Sequence, residues 1–183
     1  SRGLEDVYKR QILYMPLTYP VEPLNGIMIS NPLFTPSSAK IKSMAYPPVL
    51  TKDKLFKLML KSLFRPSIYL DKVKHTKKYS REIFNMMVKE TQMSVRLAQK
   101  IMREHNYDFF FIHFIRTDSI QHRFWDKKGI ILNFYEILDQ LLEDLIMTHM
   151  KHKKPYIFVI SDHGFHESPP YVFHLNTWLQ QII

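Results

Sequence analysis

The sequence predicts an α/β fold, a mainly parallel sheet with helices on both of its faces. Three observations lead there. Two short apolar runs, FFFIHFI from Phe109 to Ile115 and YIFVIS from Tyr156 to Ser161, have the length and β-forming composition of strands buried on both faces. Between them, from about Gly129 to Met150, apolar residues recur at helical spacing, so the three segments read as a βαβ unit. The 183 residues, 45% hydrophobic and 23% charged, have the balance of a globular chain able to bury one sizeable core.

Taken in order, the elements begin with ILYMPL from Ile12, a short apolar run read as a buried strand and stopped by Pro16. From Thr18 through Pro48 the chain is rich in proline, which demands extended or turn backbone. Its aromatic and aliphatic residues argue for packing rather than a free linker. Thr51 opens a helical pattern carried by Leu55, Leu58, Met59 and Leu63. Ser80 is placed to cap a second, longer helix, whose stripe of Ile83, Met86, Met87, Val95, Ala98, Ile101 and Met102 belongs to the core. That helix is expected to end near Asn106, before the strand from Phe109. The closing LNTWLQQII reads as the start of a strand or a helix.

Charge is unevenly distributed. Between Thr51 and Asn106 there are fourteen Lys and Arg against five Asp and Glu, a local net of +9 that equals the net of the whole chain. Such a segment suits phosphates or an anionic surface, but a solvated helical face explains it as well. No Gly- and aromatic-patterned motif supports nucleic-acid binding. Cysteine is absent, so disulfides and thiolate metal sites are excluded, and any metal must be held by His and carboxylates. With no apolar run of membrane-spanning length and no signal-like start, the expectation is a cytoplasmic protein without a transmembrane segment.

Both predicted strands run into metal-ligand residue types. After FFFIHFI comes RTDSIQH, with Asp118 and His122 four apart, one turn of helix, on one face. After YIFVIS come Asp162 and His163, followed by Gly164, which offers freedom for a sharp turn. Parallel strands bring such ends to one edge of a sheet, where ligands collect. Two carboxylates and two imidazoles there suit zinc, and manganese as an alternative. His113 lies inside the first strand and reads as a core histidine pointing away from Asp118. Phe124 and Trp125 are expected to pack the metal-bearing helix against the sheet. His75, among lysines, reads as exposed.

These motifs carry a resemblance. TDSIQHRFWD is similar to the T-D-x-x-x-H-x-F/Y-W segment, and VISDHGF to the V-x-S-D-H-G-F/M segment, of the type I phosphodiesterase/nucleotide pyrophosphatase family of the alkaline phosphatase superfamily. FYEILDQLLEDLI resembles the helix between them in that family, and PLTYPVEPLNGIMISNPLFTPS its upstream P-x-T-Y-P-x-E-P-x-N-G segment. The resemblance runs from Ile12 to Leu179 and implies an alkaline-phosphatase-like fold. It implies two divalent ions, usually zinc, acting on a phosphate-ester or nucleotide substrate. Asp162 and His163 would help hold the ion that activates a Thr or Ser nucleophile. Asp118 and His122 would help hold the ion that polarises the phosphoryl oxygen, for in-line displacement through a covalent phospho-enzyme.

The sequence departs from the family pattern in one respect. The nucleophile and a further Asp ligand belong to a segment upstream of the TYP loop, and a further His ligand lies downstream. Thr18, Thr35 and Ser37 stand in the wrong context for the nucleophile, and His166 and His174 read as turn or surface histidines rather than ligands. The string GLEDVYKRQ, within Ser1 to Gln11, resembles translated sequencing-adapter sequence from metagenomic assemblies. Residues 1–11 are therefore expected to be non-native. Residues 12–183 are expected to form a partial catalytic domain, inactive alone. A phosphomutase or a sulfatase shares the metal architecture, although no C/S-x-P-x-R sulfatase segment is present. A non-catalytic basic binding module is the rival from another class.

Overall fold

The computed structural model describes residues 7–36, 38–63, 77–150, 154–167 and 174–182. Its centre is a sheet of β1 (Arg10–Met15), β2 (Gly26–Ser30), β3 (Ala45–Tyr46) and β4 (Phe109–Ile112), in the order β3-β2-β1-β4. β1 runs parallel to both β2 and β4, while β3 pairs antiparallel to β2. The helices are α1 (Lys54–Leu63), α2 (Lys77–Glu104), α3 (Arg116–Phe124), α4 (Lys128–Met150) and α5 (Leu175–Ile182). A mainly parallel sheet with packed helices is the α/β class that the sequence predicts. Among the described residues no helix is long and apolar enough to cross a membrane.

Register explains the core. Gln11 lies opposite Ile27 and Phe110, and Leu13 opposite Ile29 and Ile112, so these six share one face of the sheet. Leu13, Ile27 and Ile29 on that face join Phe56 and Met59 of α1 and Val95, Ala98 and Ile101 of α2 in the main core. The strand begins two residues before Ile12. Arg10 and Gln11 are already in register, Gln11 is buried, and the Lys9 carbonyl accepts from the Asp108 amide at 2.8 Å. A second cluster, made of helices alone, joins Ile83 and Met87 of α2, Ile120 and Phe124 of α3, and Phe134 and Leu138 of α4. Phe124 thus packs α3 against helices rather than against the sheet.

The proline-rich stretch contains a strand that its composition hides. GIMIS alternates Ile27 and Ile29 into the core, and Gly26 makes the pairing possible. Its φ is +145°, and a Cβ there would lie 1.9 Å from the Arg10 carbonyl oxygen, so only glycine lets β2 start beside β1.

Three expectations need correction. Ser80 does not cap α2, which already runs from Lys77, a turn earlier. β4 is an edge strand among the described residues, with Phe109 exposed, rather than a central strand buried on both faces. Tyr156 to Ser161 forms no strand, and Tyr156, Phe158, Val159 and Ile160 are all exposed. A strand needs a paired neighbour as well as β-forming residues. Here the only strand beside β4 is β1, so β4 keeps one unpaired edge among the described residues. The closing segment resolves as helix, α5. His75 and Ser37 lie outside the described residues.

Candidate functional site

The site grows from the carboxyl ends of β1 and β4. β1 is irregular between Leu13 and Met15, where Tyr14 takes a φ of 64°, a conformation rare for a bulky residue. The Tyr14 carbonyl accepts from Asn31 Nδ2 at 3.1 Å, and its hydroxyl donates to the Ser94 carbonyl at 3.3 Å. Beyond β4 the chain passes through His113 and Phe114 into α3. No side chain caps this helix at Ile115. Its start is held by the Thr117 hydroxyl donating to the Phe114 carbonyl at 2.7 Å, and by the ion pair of buried Arg116 with buried Glu90 of α2.

Asp118 stands in the first turn of α3 and His122 one turn on, with His122 Nε2 3.2 Å from Asp118 Oδ1. Asp162 and His163 also pair, with Nε2 3.5 Å from Oδ2. Both pairs are substantially open to solvent. His163 Nδ1 lies 2.8 Å from the Gly164 carbonyl, and the resulting hydrogen bond fixes Nδ1 as the protonated nitrogen and leaves Nε2 facing Asp162. That bond first, and Asp162 second, raise the His163 pKa. Phe165 links the two motifs. Its ring lies 4.7 Å from that of His122 and 5.1 Å from that of Trp125, centroid to centroid. Trp125 therefore packs on the DHGF segment rather than on the sheet. The pairs also sense each other electrostatically, since Asp118 contributes to the rise at His163.

Residues 17–182 match the sequence profile of the type I phosphodiesterase / nucleotide pyrophosphatase family. The chain belongs to that family. No curated protein and no solved structure matches it.

Within this family member, the structure adds residues that sequence reasoning passed over. His113 does not point away from the site. Burial lowers its pKa, while Asp162, the Tyr14 carbonyl and Asp118 pull it back up, which places the ring between the two acidic pairs. Its position directly after a strand ending in Asp118 was the available signal. Tyr135 of α4 accepts from Gln121 Nε2 at 3.1 Å; burial and then the Asp118 charge raise its pKa. Glu90 carried no sequence signal at all, because a lone acid in a long helix looks like any solvated one.

Other candidates have ordinary local roles. The Thr18 hydroxyl donates to the Met15 carbonyl at 2.8 Å and that of Thr35 to the Asn31 carbonyl at 2.9 Å. His166 contacts the Glu167 carbonyl, and His174 is exposed just before α5. Gly164 is not required for a sharp turn: its φ lies outside the left-handed region, and a Cβ there would meet open space. Among the described residues no three His, Asp or Glu side chains cluster closely enough to hold one ion, so each pair stands as two ligands.

Proposed function

We propose that this chain contributes to metal-dependent hydrolysis of phosphodiester or nucleotide pyrophosphate bonds, with Asp118 and His122 ligating one divalent ion and Asp162 and His163 a second. The observation that carries the reading is the spacing within each pair. Two ligands about 2.1 Å from one tetrahedral zinc lie roughly 3.4 Å apart. The pairs here are separated by 3.2 and 3.5 Å, each between a carboxylate oxygen and an imidazole Nε2. The Gly164 carbonyl, by holding the proton on His163 Nδ1, supplies the kind of outer partner that orients a ligating histidine.

Ions bound there would supply Lewis-acid polarisation of the phosphoryl group and lower the pKa of an attacking hydroxyl. The protein's own part is orientation. α3 presents Asp118 and His122 together, and Phe165 keeps the Asp162–His163 segment against that helix. No hydroxyl of this chain is assigned as nucleophile; the reading gives that role to a Thr or Ser outside it, as the family resemblance implies. Zinc is the ion the donor set fits best, with manganese next. Adding zinc should raise the melting temperature of the chain, and D118A/H122A should reduce that rise. An equal rise in chain and variant would remove the first pair from the reading.

A further inference from the structure

We propose that Glu90 is a positioning residue, which acts through Arg116 to set the rotation of α3 about its axis and so the direction of Asp118 and His122. The inference rests on the metal reading above. Arg116, Ile120 and Phe124 follow one another at intervals of four and are all buried, forming the inward stripe of α3. Asp118 and His122 are displaced by two residues, about 200° around the helix, and so face the opposite way. Whatever fixes the inward stripe therefore aims the ligand pair.

Two of the three inward anchors are apolar. Ile120 and Phe124 sit among the side chains of α2 and α4 in contacts that tolerate rotation and sliding. The Arg116–Glu90 ion pair is directional, and it acts on the first turn, which also carries Asp118. This turn has no side-chain cap of its own. Glu90 is held in turn within the 28-residue α2, whose side chains contribute to both cores, so the reference point is rigid.

The stability argument points the same way. A buried ion pair gives little net stability, since two apolar residues of similar volume often do as well or better. What an apolar pair lacks is a fixed direction. The cavity beside the pair, about 30 Å³ and lined by Tyr14, Asn31, Glu90, His113 and Arg116, holds one or two waters and is too small for a nucleotide. The pair thus faces no substrate, and its effect reaches the site through α3.

The test replaces both partners in the full chain, Glu90→Met with Arg116→Leu, and reads two quantities. Hydrogen exchange of the α3 amides, without metal, should accelerate about tenfold while α2 and α4 keep their protection. Zinc affinity dependent on Asp118 and His122 should weaken about 10- to 100-fold, the usual effect of losing an outer partner. A folded double variant with unchanged α3 exchange and unchanged zinc affinity overturns the proposal. Should that variant not fold, Arg116→Lys decides, because it keeps the charge and loses the planar fork. A smaller change in the same direction supports the role, and no change in either readout overturns it. If D118A/H122A leaves zinc binding untouched, the metal reading fails, while α3 exchange still reports on the positioning.

Discussion

The ring of Phe165 stands edge-on to that of His122, with centroids 4.7 Å apart and planes at 82°. This contact joins two motifs some forty residues apart in sequence. The exposed Tyr156 to Ile160 stretch gives the segment around Phe165 little other anchorage. The Phe165 edge is held from a second side by Trp125.

Phe165→Ala should therefore act locally. Aromatic pairs of this geometry contribute about 1 kcal/mol each beyond their area. The melting temperature should move little, because neither core loses a member. The His122 ring protons should shift in the NMR spectrum as the neighbouring ring current disappears. Unchanged His122 resonances would mean that the two motifs do not meet.

Glu90 gives the stability curve a pH dependence. Burial raises its carboxyl from 4.5 to about 7, with Arg116 opposing. The native state then holds a proton that the unfolded chain has released, so this contribution is full below pH 4.5 and lost as pH rises through 7. Glu90→Gln abolishes that titration. Stability relative to the variant should fall across this window, by at most about 3 kcal/mol. Parallel stability curves in urea for chain and variant would contradict it.

Asp53 titrates in the opposite sense. Burial pushes its carboxyl up, but hydrogen bonding to Lys100 and to the Phe56 and Leu55 amides outweighs that and holds it below 3.8. Its contribution is thus present above 3.8 and lost as pH falls through the folded value. The two amide bonds are those of an N-cap on α1. Asp53→Ala should cost about 1 kcal/mol at neutral pH, or about 2–4 °C in melting temperature for a chain of this size.

Two glycines should respond differently to alanine. At Gly26 the added Cβ would collide with the Arg10 backbone, at a φ that L side chains avoid, and the loss should be on the order of 3–5 kcal/mol. At Gly164 it meets nothing, and thermal denaturation should show a change within about 0.5 kcal/mol.

What the sequence made legible was local chemistry. Asp118 and His122 could be placed one turn apart because i and i+4 always share a helix face, and the structure keeps them there. Long amphipathic helices such as α2 and α4 were equally plain. Pairing was harder to read. Gly26 to Ser30 looked like loop because prolines surround it, yet β1 supplies a neighbour and makes it a strand. Tyr156 to Ser161 has the better strand composition, but no described strand pairs with it. Glu90, His113 and Tyr135 became visible only through packing, since each depends on a neighbour distant in sequence.

The central claim is that two Asp–His pairs each bind an ion, and zinc titration by calorimetry on the chain and two double variants tests it most directly. Two equivalents should bind to the chain, and one each to D118A/H122A and to D162A/H163A. Equal stoichiometry in all three, or no zinc binding by the chain, would contradict the account.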